Sequence, residues 1–354
     1  MHMADALISP AVGGTMWAVT AGLIGYCSKK VKNEMDDQKI PLMGVLGAFI
    51  FASQMINFTI PITGSSGHLG GGMILAILLG PHIAFLTMAS VLTVQALFFA
   101  DGGLLALGCN IFNLGFFPCF IAYPLIYKTF VKDADTNYMR SNSIDFKKTE
   151  RKILAGSIIG AIVALQMGAF AVVIETLFSG ISELPFTTFL MLMQPIHLAI
   201  GVVEGLTTAA VVLFIWKARP EILSSASSSS PIGRTPIFKV VVGLAAAALI
   251  TGGALSWFAS SNPDGLEWAM FKTAGVEELE SPDGIHTSLS AIQEKTAFLP
   301  DYGFKSGESN ELSESSAESV KVELGTSVSG VVGGILTLIF AVAIGFALRQ
   351  KKSN

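Results

Sequence analysis

The sequence predicts an all-α polytopic membrane protein, and three observations carry that expectation. Hydrophobic residues make up 51% of the chain and charged residues only 14%, against about 25% charged in an ordinary soluble protein. The mean hydropathy is +0.62. Apolar stretches long enough to cross a bilayer recur from one end of the chain to the other. A soluble fold of 354 residues would need more charge to cover its surface. A chain disordered throughout is excluded by the same composition. The 36 glycines fit as well, since glycine is more frequent in membrane helices than in soluble ones.

About nine transmembrane segments are expected, at 10–28, 41–60, 69–80, 82–100, 103–127, 153–176, 188–216, 237–259 and 326–348. The third is short. It reads as a broken, half-length or tilted helix sheltered inside protein, because interrupted helices are not tolerated facing lipid. Basic residues between the segments set the orientation. Four lie in 29–39, seven in 128–152, four in 217–239 and three in 349–352, out of 22 in all. The positive-inside rule assigns these clusters to the cytoplasm. An odd number of crossings then puts the N-terminus outside and the C-terminus inside. The opening run MHMADALISP lacks a basic stretch and a small-residue cleavage pattern, so it is expected to stay on the chain.

The chain divides into a membrane domain at 1–217, a linker at 218–236 and a two-span accessory domain at 237–354. The linker is rich in Ser and Pro and is expected to be flexible and cytoplasmic. The accessory domain surrounds an outer loop at 260–325, whose stretch from Ser306 to Ser319 reads as weakly ordered. The three cysteines lie in apolar runs and have no metal or disulfide spacing. No G-x-x-x-x-G-K-[ST] run is present, so the chain has no phosphate-cradling loop of its own. No nucleophile, base and orienting group occur together at enzyme spacing, and the chain is not expected to be an enzyme.

The polar residues in and beside the apolar segments carry the functional signal. His2 follows Met1, which is expected to be retained. The α-amine of Met1, the amide nitrogen of His2 and its imidazole Nδ1 can close fused chelate rings around one small ion. Square-planar nitrogen ligation suits Ni2+ and Cu2+. His68 lies in TGSSGHLGGG, where glycines allow close backbone approach. It can supply a fourth nitrogen, or it can be a surface histidine beside a Ser65 or Ser66 helix cap. His197 and Glu204 are seven residues apart on one helix face. Helix packing or conformational coupling is favoured for them over metal ligation. Gly201 and Gly205 have small-xxx-small spacing. Asn57, Gln95, Asp101, Asn110, Asn113, Gln166, Glu175 and Gln194 are expected in interior polar networks. Asp101 precedes Gly102 and Gly103, where it can attract an incoming cation or cap the next helix. His82 reads as structural, and His286 as a solvated loop residue. The methionines read as core filler.

These residues together carry a family resemblance. Met1-His2-Met3, GSSGH at Gly64–His68, QALFFADGGLLALGCN at Gln95–Asn110 and PIHLAIGVVEGLT at Pro195–Thr207 resemble the motifs of the CbiM/NikM family. That family is the substrate-binding membrane component of nickel and cobalt energy-coupling-factor transporters. PDGLEW at Pro263–Trp268 and LPDY at Leu299–Tyr302 resemble its small partner subunit. Fusion of the two resembles the NikMN arrangement. Asp101 stands where many cobalt-type members carry His, and Leu69 where Pro is common.

The resemblance implies uptake of Ni2+, with Co2+ as the alternative cargo, across a prokaryotic plasma membrane. It implies a ligand set on Met1, His2 and His68, with Asp101, Asn110, His197 and Glu204 around it or coupled to it. It also implies a transmembrane coupling subunit and two ATPase subunits as partners. A membrane metal sensor or assembly protein that does not transport is the remaining alternative.

Overall fold

The computed structural model describes residues 2–32, 34–132, 146–276, 279, 282–305 and 324–349. Met1 and the Ser306–Ser319 stretch lie outside the described residues. The chain is mostly helical, with one small hairpin among the described residues.

Helix α1 (Pro10–Val31) begins where Ser9 accepts the Val12 N–H and Pro10 fills the first turn. Helix α2 (Lys39–Gln54) is apolar all round and buried along nearly its whole length, as expected of a central helix. The expected segment at 41–60 ends early, because Phe58–Ile60 (β1) leaves the helix and pairs antiparallel with Ser65–Gly67 (β2). Pro61 and the left-handed Gly64 (φ 72°) belong to the turn that joins the strands.

Helix α3 (Gly72–Leu79) has eight residues, all buried, which is too short to cross a bilayer alone. It starts after a left-handed Gly71, where an added Cβ would lie 2.7 Å from Ile50. Helix α4 (Pro81–Phe99) follows directly. Helix α5 (Leu107–Lys132) is π-wound over Phe112–Tyr127. Pro118 and Pro124 lie inside it, and neither can donate a helical N–H. Gly72 packs on this wide turn, since a Cβ there would meet Pro118 Cγ at 2.3 Å.

Helices α6 (Phe146–Ser179) and α7 (Phe186–Ala218) run antiparallel. A Cβ on Gly201 would sit 3.0 Å from Ile162 Cα, and one on Gly205 would sit 2.6 Å from Ile158 Cα. The small-xxx-small spacing is therefore where the two backbones meet. Gln166 and Gln194 bond each other's carbonyls across the same pair, at 2.8 and 3.3 Å.

The segment 218–236, expected to be a flexible linker, carries helix α8 (Pro220–Ser227), with Ile222 and Ala226 buried. The physical reason is the short α3. It has only eight residues, and α8 packs against it. A Cβ on Gly80 would touch the Ala226 carbonyl at 3.1 Å. Lys128 Nζ donates to the Ser227 carbonyl (2.9 Å), and the Gly233 N–H donates to Asp36 (2.7 Å).

The C-terminal part contributes α9 (Phe238–Gly253), α10 (Gly265–Ala274), α11 (Ile285–Thr296) and α12 (Leu324–Leu348). Helix α12 lies on α2, with Gly333 against Phe51 and Gly345 against Ile40. Five described helices, α4, α5, α6, α7 and α12, are long and apolar enough to cross a membrane by length and composition. Helices α2 and α9 are apolar but shorter. Large apolar side chains such as Phe178, Leu206, Phe214, Ile339 and Phe346 stand exposed on the long helices. Soluble monomers rarely show so much exposed apolar surface, whereas a bilayer covers it.

Candidate metal site

The N-terminal segment enters the bundle and is clamped there. Asn110 on α5 accepts the Met3 N–H at 2.8 Å and donates to the Met3 carbonyl at 3.2 Å. The Gly103 N–H donates to the same carbonyl at 2.9 Å. Two residues on, buried Asp5 accepts the Ala106 N–H at 2.9 Å. Asp5, and not Asp101, therefore satisfies the main chain where α5 begins. Gly103 is required by close approach. A Cβ there would lie 1.8 Å from Asp5 Oδ1 and 2.4 Å from the Asp5 nitrogen. Gly103→Ala is expected to unseat residues 2–8 and cost about 1–3 kcal/mol by overpacking. A thermal melt of metal-free protein checks this, and an unchanged midpoint would contradict it.

Anchored this way, His2 stacks on His68, with ring centroids 4.9 Å apart and planes 14° apart. His68 follows β2, and its Nδ1 bonds the Leu69 carbonyl at 3.1 Å. A carbonyl oxygen only accepts, so that bond puts the proton on Nδ1. His2 Nδ1 lies 3.2 Å from Asp101 Oδ1. His2 Nε2 is buried and has no hydrogen-bond partner among the described residues. Burial lowers both imidazoles to about 3. Both rings are therefore neutral near pH 7, as nitrogen ligands must be. Burial raises the Asp101 carboxyl, against a lowering contribution from the Tyr302 hydroxyl.

Glu204 fixes the loop after His68. Its two oxygens accept the Gly70 and Gly71 N–H groups at 2.8 and 3.1 Å. These are orphan donors ahead of α3, and a carboxylate at a helix N-terminus also suits the helix dipole. Gln54 donates to the Gly70 carbonyl at 2.8 Å from the other side. His197 Nδ1 bonds the Met193 carbonyl at 2.8 Å. It lines a cavity of about 10 Å³ with Gly67, His68, Ile200 and Asp264. Its Nε2 is buried and has no hydrogen-bond partner among the described residues. Asn113 donates to Glu175 at 2.8 Å deeper in the bundle. His82 pairs with Glu34 at 2.9 Å, away from this cluster.

The C-terminal part roofs the cluster with residues that sequence reasoning did not place there. Asp264 caps α10 by accepting the Leu266 and Glu267 N–H groups on Oδ1, while Oδ2 faces His68 Nε2 at 3.8 Å. Trp268 donates to the Thr63 carbonyl at 3.0 Å. The Ser66 N–H donates to the Pro263 carbonyl at 2.8 Å, and its hydroxyl to Asn262 at 2.7 Å. Tyr302 donates to the second oxygen of Asp101. Gln293 donates to the Ala96 and Gly102 carbonyls at 2.9 and 2.8 Å. His286, expected to be solvated, is 2% exposed and bonds the Ile8 carbonyl at 2.9 Å. His286 is buried because α11 lies against the N-terminal segment and His286 is the side chain that meets it. PDGLEW and LPDY were the available signals, but neither motif discloses which partner it touches.

Among the described residues no three His, Cys, Asp or Glu side chains form a metal-ligand cluster. The expected set draws only two side chains and takes its other nitrogens from the main chain at Met1 and His2.

The architecture and this buried imidazole–carboxylate cluster define a polytopic helical membrane protein with a compact polar site at one end of the bundle. The model for the cobalt uptake substrate-specific transmembrane region, CbiM, matches residues 2–222, and the PDGLE domain matches 238–350. The chain belongs to the CbiM family and carries a PDGLE domain on the same polypeptide. It is 28% identical over 357 residues to a putative fused nickel transport protein NikMN of Archaeoglobus fulgidus, across 99% of this chain and 98% of that one. It is 33% identical to a putative metal transport protein of Haloquadratum walsbyi, over 63% of this chain and 93% of the other. A crystal structure of a truncated transition metal transporter superposes with a TM-score of 0.50 at 29% identity, covering 62% of this chain and 99% of that one.

Proposed function

We propose that the protein captures Ni2+ at the outer face of a prokaryotic plasma membrane and is the substrate-specific component of an ATP-driven uptake system. The observation that carries this is the buried pair of neutral imidazoles, His2 and His68, stacked beside a clamped N-terminal segment. The Met1 amine, the His2 amide nitrogen, the His2 imidazole and the His68 imidazole would form a four-nitrogen set. Four nitrogens in one plane suit Ni2+. Ligation through His2 Nδ1 would exchange its contact with Asp101 for the metal. Nine crossings, an outer N-terminus and an inner C-terminus belong to this reading, supported by the grouping of basic residues. So does the division at 1–217, 218–236 and 237–354. ATP hydrolysis would fall to two ATPase subunits acting through a transmembrane coupling subunit.

Co2+ is the second reading, favoured by the description of the matching family model and by similarity to cobalt transport proteins such as that of Geobacter sulfurreducens, 27% identical over 235 residues. The test is a titration of purified protein with its native N-terminus, Ni2+ against Co2+, followed by visible absorption. Preference for Ni2+ with a square-planar band is expected. Preference for Co2+ or an octahedral spectrum would overturn the nickel assignment, and absence of binding would overturn the site.

A further inference from the structure

The C-terminal unit reaches each histidine of the pair by a separate contact. Asp264 does two things with one carboxylate. Oδ1 is committed to the cap of α10, where it accepts N–H groups at 2.7 and 2.9 Å. The Glu267 side chain closes the capping box by accepting the Asp264 N–H at 2.8 Å. This cap fixes the carboxylate plane, so Oδ2 is held facing His68 Nε2. At 3.8 Å the contact is too long for a hydrogen bond. It places the carboxylate charge beside the Nε2 edge of the ring, where a bound cation would meet it.

The second contact is a relay. Tyr302 is packed by Phe99 and Phe51, with ring centroids at 5.3 and 6.1 Å. Gln95 donates to its oxygen at 3.2 Å, and the hydroxyl donates to Asp101. The other oxygen of Asp101 faces His2 Nδ1. Asp301 and Tyr302 both have positive φ, at 49° and 59°. Non-glycine residues adopt that conformation at a cost that the surroundings must offset. Here the ring packing and the hydroxyl bond are the compensation that the structure offers.

We propose that the C-terminal unit supplies two positioning residues to the metal site: Asp264, whose Oδ2 sets a negative charge beside His68 Nε2 where the cation would lie, and Tyr302, which holds the Asp101 carboxylate beside His2 Nδ1. The inference rests on the uptake reading above. It goes further by assigning atoms of the accessory unit to the metal site. Charged groups around the ligands tune the metal. They also neutralise part of the charge of a divalent cation in a buried place.

The test uses the full chain with its native N-terminus and Ni2+ alone as the probe. Asp264→Ser keeps an oxygen able to cap α10 and removes Oδ2. Tyr302→Phe keeps the ring stack and removes the hydroxyl. Metal-free melting midpoints are read first to separate folding from metal chemistry. Each variant is expected to melt close to wild type, to bind Ni2+ about 10- to 100-fold more weakly and to show a shifted visible band. Asp264→Glu, which restores a carboxylate, is expected to recover part of the affinity that Asp264→Ser loses. Folded variants with wild-type affinity and band would overturn the inference while leaving the uptake reading intact. If a variant melts early, the shift of its band at saturating Ni2+ decides, because a purely structural role leaves the band of the loaded site unchanged. A wild-type chain that binds no Ni2+ overturns both.

Discussion

One residue added before Met1 is expected to abolish tight Ni2+ binding. In the proposed site the terminal amine and the His2 amide nitrogen close adjacent chelate rings with the imidazole. An extension converts the amine into an amide and moves the new amine out of reach. Losing one nitrogen and one ring should weaken binding by at least about 100-fold, roughly 3 kcal/mol. The fold should survive, because the segment is anchored further along. Asn110 and Gly103 hold Met3, Ala106 holds Asp5, and His286 holds Ile8. The measurement is Ni2+ titration of an extended chain beside the native one, with melting curves of both without metal. Full affinity in the extended chain would remove the amine from the ligand set and sink the proposed site.

Glu204→Ala is expected to be the most damaging single side-chain truncation within α7. It leaves the N–H groups of Gly70 and Gly71 buried and unpaired. Each unsatisfied buried donor costs about 1–3 kcal/mol, so the loss is roughly 2–6 kcal/mol. The effect should not stop at stability. Gly70 and Gly71 lie directly between His68 and α3, so the loop that carries the imidazole loses its anchor. Metal affinity should fall together with the melting midpoint. Glu204→Gln keeps one acceptor oxygen but turns an amide N–H toward a main-chain donor, so it should recover only part of the loss. A Glu204→Ala protein that melts and binds like wild type would show that the α3 N-terminus is held by something else.

Both predictions join residues far apart in the chain, and this is where sequence reading and structure part company. His2 and His68 can be named as candidates from local chemistry, one beside Met1 and the other in a glycine-rich run, and the structure stacks the two rings. Gly201 and Gly205 were legible because helical spacing alone puts them on one face. Glu204 was recognised as an expensive intramembrane carboxylate, but not as the group that holds Gly70 and Gly71. Asp101 was open between attracting a cation and capping a helix. It does not cap α5, and its carboxylate instead links His2 to Tyr302. His286 was misread because a histidine in an acidic loop normally meets water, and only the docking of α11 buries it.

Composition is enough to set the class of the protein. Composition and recurrent apolar runs demand a helical membrane protein, because hydrocarbon leaves the backbone no other partners than its own. The sequence also shows which side chains are chemically able to hold a metal, because ligand type is a property of the residue. Only folding shows that the second apolar segment ends in a hairpin and that α8 packs against the short α3. It alone decided that the PDGLEW and LPDY loops lie over the histidine pair. Those outcomes depend on contacts between residues far apart in the chain, as between Thr63 and Trp268, 205 positions apart. Periodicity and local propensity do not encode such distances. They are set when packed surfaces meet and each buried polar group must find a partner.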